Sequence, residues 1–221
     1  MKERGMIFNG EMVRAILDGR KTQTRRVMKN QPAGDYPETP ALIRNVGTGF
    51  QWHGLYGESS IFNCPLGSIG ERIWVRETFR VHSRASDVAT LVYRASVRNS
   101  WTEQTHRVPV AVCNKPAIPE KWTPSIHMPR WASRITLEIT DVRVERLHNI
   151  SERDSLREGL FQLPASGRYC LQPGMQYFGM ASHSAKEVYS WLWASIYGEE
   201  SWAANPWVWV IEFKRVEGGA A

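Results

Sequence analysis

The stretch Arg134–Leu147, RITLEITDVRVERL, limits the fold more than any other part of the chain. Apolar residues alternate at Ile135, Leu137 and Ile139, the period of a strand with one buried face, and then change parity to Val142 and Val144. A parity change inside one strand predicts a bulge or sharp corner near Thr140–Asp141, a device common in small barrels. ERIWVRETFRV reads as a second strand, with Ile73 and Val75 on one face, Arg72, Trp74 and Arg76 on the other, and Glu77 on the apolar side. ATLVYRAS and HRVPVAV are two further strands, and the closing WVWVIEFKRV, apolar on both faces at first, suits a central one.

Helices are few and short. Asn9 caps a segment in which Met12, Val13, Ile16 and Leu17 form one stripe, and Gly19 stops it. Ser151 with Asp154 resembles a capping box that opens SERDSLREG, ending at Gly159. Ser184 with Glu187 opens AKEVYSWLWASIYG, with Val188, Trp191, Leu192 and Ile196 on its buried side. The Gly- and Pro-rich stretch 28–71 reads mostly as loop with one hairpin, 114–130 as a Pro-rich connection, and 160–183 as loop. The class is α+β, one β-barrel with helices at its ends; parallel βαβ units are disfavoured because few helices alternate with the strands.

Charge bears on partners rather than on fold. Lys+Arg exceed Asp+Glu by 28 to 22, a net charge of +6, and 21 of those cations are Arg against 7 Lys. Arg forks onto phosphates and stacks on rings, and ten Trp supply surfaces for bases, so the pair is a mild pointer to nucleic acid or nucleotides. A basic surface around an aromatic core has the same composition. Cys64, Cys113 and Cys170 are odd in number and far apart, which suits neither a disulfide framework nor zinc, and the six His show no HxxxH or HxH pairing. No metal, cofactor or membrane partner is expected. The N-terminus lacks the apolar core of a signal peptide, and no apolar run approaches the ~18 residues of a membrane span, so a reducing cytoplasm is expected.

The densest chemistry is GRKTQTRR, in which Arg20, Lys21, Arg25 and Arg26 accompany the hydroxyls of Thr22 and Thr24. It reads either as a solvated basic edge or as a grip for a phosphate or the polar edge of a nucleoside. A fully extended chain would send Lys21 and Thr24 to opposite faces, so the two act together only if the chain turns after Lys21. Arg76 and Glu77 line a cleft or form a buried ion pair. Arg130, Trp131 and Arg134 suit a stacked base with flanking phosphate contacts, although Trp131 equally suits a core plug.

GRKTQTRR after a short helix, GERIWVRETF, PRWASRITLEITDVRVERLHNISERDSLREG and LW followed by SWAANPWVWVIEFKRV resemble, in this order, the ASCH-domain superfamily, specifically its long phage and prophage members. The resemblance runs from Met6 to Val216. It implies a PUA-like fold, a small mixed β-barrel with a cleft, as a single domain over residues 1–221 with insertions at about 28–71, 79–130 and 160–183. It also implies recognition of RNA or a modified nucleoside. In one short bacterial member, an N4-acetylcytidine amidohydrolase, a lysine and a threonine of the GRKTxT segment and a glutamate after the long strand are catalytic. These fall on Lys21, Thr24 and Glu158. The resemblance therefore implies a basic cleft and hydrolysis of an N4-acylcytidine-type amide. The alternatives are a non-catalytic RNA- or DNA-binding module, a ribonuclease using the same cleft, and a phage morphogenesis or interaction role. Nothing in the sequence sets the oligomeric state.

Overall fold

The computed structural model describes residues 2–32, 42–54, 57–96 and 104–216; residues 33–41 and 55–56 of the first expected insertion and 97–103 of the second lie outside that range. The architecture is mixed α+β. The chain resolves into two compact units, Met1–Gly19 with Gly70–Glu138 and Lys214–Ala221, and Arg20–Ile69 with Ile139–Phe213.

In the first unit, β1 (Glu3–Ile7) runs on into α1 (Gly10–Leu17). The Asn9 side chain accepts the Met12 N–H at 2.8 Å, the cap that the sequence predicts, and Gly19 follows in the left-handed region at φ 74°. β1 pairs in parallel with β6 (Arg72–Arg76), and β6 pairs antiparallel with the start of β10 (Thr136–Arg146). ERIWVRETFRV is not one strand: it breaks at Glu77–Thr78, and β7 (Phe79–Arg84) opens a separate meander with β8 (Val88–Tyr93) and β9 (Thr105–Pro109). The break falls where the Glu77 carboxylate turns to Arg134 and its N–H to the Met128 sulfur at 3.1 Å. Phe79, Leu91, Tyr93, Val108 and Met128 form the core under this meander, with Trp131 packed against it.

The second unit is built on β2 (Gln23–Val27) paired antiparallel with β13 (Trp207–Val216), in a register that sets Thr24 opposite Ile211 and Arg25 opposite Val210. Where the sequence suggested one hairpin in 28–71, there is a three-stranded sheet of β3 (Leu42–Val46), β4 (Gly49–Gly54) and β5 (Gly57–Glu58). β10 runs unbroken through Thr140 and Asp141, the position of the expected bulge, and leads into α2 (Glu152–Arg157). The Ser151 hydroxyl accepts the Asp154 N–H at 3.0 Å and opens that helix. Within 160–183, read as loop, β11 (Phe161–Gln162) pairs with β12 (Tyr169–Cys170).

α3 (Ala185–Tyr197) buries Ala185, Val188, Tyr189, Leu192 and Trp193 against Leu147, Ile150, Val208 and Val210, and α4 (Glu199–Ala203) follows it. The buried stripe starts at Ala185 and recurs at three- and four-residue steps, so it passes through Tyr189 and Trp193 and leaves Ile196 39% exposed. Among the described residues no helix is long and apolar enough to cross a membrane.

α2 carries Asp154 and ends at Glu158, so its cap has a measurable consequence. Ser151→Ala is expected to lower unfolding stability by about 1 kcal/mol, the usual contribution of such a cap. Urea denaturation of the two proteins checks this, and identical midpoints would show that the cap is dispensable.

Candidate functional site

Glu158 sits at the C-terminal end of α2, and Gly159, at φ 107°, lets the chain leave the helix directly after it. That exit lays Glu158 beside Lys21 as an isolated antiparallel bridge, with the Thr22 N–H donating to the Arg157 carbonyl at 2.9 Å. Two groups 137 residues apart in sequence thus meet through backbone pairing. The Lys21 ammonium donates to Glu158 Oε2 at 2.6 Å and to the Glu158 carbonyl at 3.0 Å. Lys21 is 2% and Glu158 3% exposed.

Arg25 completes the inner cluster. Its Nη1 donates to Glu158 Oε1 at 3.2 Å, and its Nη2 donates to Glu145 at 3.1 Å and lies 3.5 Å from Asp154. Arg143 joins the same carboxylates from β10, contacting Glu145 and Glu212 at 2.6 Å each, Asp154 at 3.2 Å and Asp141 at 3.4 Å. Arg157 reaches Glu212 at 3.1 Å. Four cations therefore face five carboxylates, and the net basicity of the chain is absent from this cluster. Multiple close carboxylates hold the Arg143 guanidinium well above its ordinary range despite partial burial.

Burial pushes the Lys21 amine below its usual range, opposed by the attraction and hydrogen bond of Glu158. An ammonium has three protons, and two of Lys21's point at Glu158, which leaves one position for another oxygen or for a lone pair after deprotonation. At 2.6 Å a proton can pass between Nζ and Oε2 without movement of either residue. The Tyr189 phenol, buried in the core nearby, is raised well above its usual range by burial and by the charge of Glu158, so it stays a neutral group.

Thr24 is buried at 1% exposure, and among the described residues its hydroxyl makes no hydrogen bond to Lys21 or Glu158. The strand register explains this. Directly opposed residues of an antiparallel pair share a face, so Gln23 and Arg25 lie with Glu212 and Val210 on the side of the ion cluster. Thr24 and Arg26 lie with Ile211 and Trp209 on the other. Arg26 contacts the Tyr197 hydroxyl at 3.4 Å; the Arg20 side chain donates to the Gly159 carbonyl and lies over the Phe161 ring at 3.6 Å. Thr22 is exposed.

The remaining predicted residues belong to the first unit. Glu77 is in a buried ion pair, but with Arg134 and not Arg76: Nε and Nη2 of Arg134 reach its two oxygens at 2.9 and 3.0 Å. Arg134 also lies over the Tyr93 ring at 4.0 Å. Arg76 donates to the Ser125 and Ile126 carbonyls. Arg130 pairs with Glu3 at 2.8 Å, and Trp131 meets Phe79 edge-on.

Sequence reading missed Arg143, Glu145, Asp154 and Glu212. The signal was available: in DVRVE the charges at Asp141, Arg143 and Glu145 share one strand face, and Glu212 interrupts the apolar run of β13. Among the described residues no group of three or more His, Cys, Asp or Glu is arranged to hold a metal ion, and Cys64, Cys113 and Cys170 are free and buried. Comparison of this chain with protein-family models, with curated proteins and with solved structures gives no match.

Proposed function

We propose that the chain is an ASCH-type, PUA-like protein that takes a modified nucleoside of RNA and hydrolyses an N4-acylcytidine-type amide, with Lys21 and Glu158 as its proton-transfer couple. The observation that carries this reading is the buried contact of 2.6 Å between them, in a segment whose sequence resembles that family. Burial disfavours the charged form of Lys21, so its neutral amine becomes accessible within the site.

In the proposed sequence the Lys21 amine takes a proton from water as the water oxygen bonds to the acyl carbon. The tetrahedral intermediate then breaks its bond to N4, and the Lys21 ammonium returns the proton to that nitrogen. Water is thus added across the amide, giving a carboxylic acid and the free amine of cytidine, and the couple ends as it began. Water is assigned as nucleophile because the register sends Thr24 to the other face of β2, so Thr24 takes no part in the step. The barrel and the cleft of the family belong to the same proposal.

The full burial of Lys21 and Arg25 among five carboxylates favours a second reading, in which the cluster only fixes the fold and the chain binds RNA or DNA without chemistry. Incubation with N4-acetylcytidine, free and within an oligoribonucleotide, separates the two. Release of acetate with formation of cytidine is the expected result. No release from either substrate, with oligonucleotide affinity that falls steeply with salt, would establish the binding module instead.

A further inference from the structure

A second concave site lies in the second unit, outside the ion cluster. It is a cavity of about 510 Å³ between the segment that follows β2 and the sheet of β3 to β5. That volume lies within the range typical of small-ligand pockets. Trp209 forms part of its lining and is 4% exposed, with Phe50 and Phe62 meeting it edge-on at 5.3 and 5.9 Å, so its ring is braced. The half-buried rings of Trp52 and Phe62 supply further lining, and among the described residues the Trp52 indole contacts no other ring. Asn30, Asn63 and Lys29 are exposed around it, and neither amide is hydrogen-bonded among the described residues.

The site is held rigid from behind. The Gln31 amide donates to the carbonyls of Met28 at 2.7 Å and Trp207 at 3.1 Å and accepts the Trp207 N–H at 2.7 Å. The backbone that carries Lys29 and Asn30 is thereby tied to β13 before any ligand arrives, which lowers the ordering cost of binding. Flat rings with free amides and one cation match a planar heteroaromatic ring: faces to stack on, donors and acceptors for its edge, and a charge for an attached phosphate.

Trp209 is two residues from Ile211, the register partner of Thr24, and both side chains lie on the same face of β13. Two residues of strand span about 7 Å. We propose that this cavity is a base-stacking site for single-stranded RNA, which seats a nucleotide on the face of the β2–β13 ladder opposite the ion cluster. The stacking does not rest on the deacetylase reading. The ligand of this cavity is then an oligoribonucleotide rather than a free nucleoside.

Fluorescence anisotropy with a 5′-labelled, unmodified single-stranded oligocytidine of eight nucleotides tests this on the full chain. Trp52→Leu is expected to weaken binding about tenfold, within the range found for loss of one stacked base, and Trp52→Phe to restore most of it. The same strand annealed to its complement is expected to bind more weakly, because its bases are no longer free to stack. Equal affinity of wild type and Trp52→Leu, or a duplex bound as tightly as the single strand, would overturn the proposal. If Trp52→Leu fails to fold, Asn63→Asp on the exposed rim serves instead: a several-fold loss supports the site, and unchanged affinity removes it. Absence of acetate release with the expected binding pattern would sink only the deacetylase reading.

Discussion

Lys21→Met is expected to lower kcat for N4-acetylcytidine by about 10²–10⁴-fold, the range of a positioned proton-transfer group. The substitution keeps the length of the side chain and removes the only amine in contact with Glu158 among the described residues. It also leaves Glu158 with Arg25 as its remaining counter-charge, so the protein is expected to lose about 3 kcal/mol of stability, the lower end for a broken buried pair. The pH profile separates chemistry from folding. A base must be deprotonated, so the wild-type rate is expected to rise with pH through the pKa of Lys21, which burial has moved below the ordinary amine value of 10.5. Glu158 favours the ammonium, so Glu158→Gln, which preserves shape, is expected to move that rise to lower pH while reducing the plateau, since the proton has lost its acceptor. Lys21→Arg, always charged, is expected to abolish the pH-dependent rise altogether. Steady-state acetate release from pH 5 to 10 reads all three. A Glu158→Gln profile identical to wild type would remove Glu158 from the couple, and full activity in Lys21→Met would remove Lys21.

The sequence points to the Lys21–Glu158 pair only through resemblance. No local pattern links Lys21 to Glu158, because their contact depends on a helix ending at Gly159 and on backbone pairing across 137 residues. The caps were legible, since Asn9, Ser151 and Ser184 each accept a hydrogen bond three residues on, which is information local to a single turn. The separation of Lys21 and Thr24 by strand alternation was also legible as a condition: the turn needed to reunite them would have had to follow Lys21. At Thr22 the pairing with β13 is only half kept, since its carbonyl accepts the Phe213 N–H of β13 while its own N–H turns to Arg157, and Thr24 stays in register. The charged face of β10 was hidden by a different physical fact. Asp141, Arg143 and Glu145 carry no local sign of a partner beyond the strand, and only the return of Asp154 and Glu212 to the same place makes them a part-buried network. In 42–58 the strands are five, six and two residues long, too short for alternation to stand out from the surrounding Gly and Ser.

Arg134→Met is expected to destabilise the first unit by about 3–5 kcal/mol at neutral pH, the range for removing one partner of a buried ion pair. Glu77 is 2% exposed, both of its oxygens are bonded to Arg134, and that guanidinium also covers Tyr93. The double variant Glu77→Leu with Arg134→Met removes both charges from the interior and is expected to recover most of the loss, since a buried pair and an apolar pair of similar volume differ little in stability. The pH dependence fixes the cause. Burial raises the Glu77 carboxyl above its ordinary value, and Arg134 draws it back down. A carboxyl raised by folding contributes stability that is fully present below the unfolded value, about 4.3, and is lost as pH rises through the folded value. Removing Arg134 raises the folded value further and extends that loss to higher pH. The gap between wild type and Arg134→Met in urea unfolding is therefore expected to be small near pH 4 and to widen toward pH 8. A gap that stays constant over that range would mean that packing on Tyr93, rather than the charge of Glu77, is what Arg134 contributes.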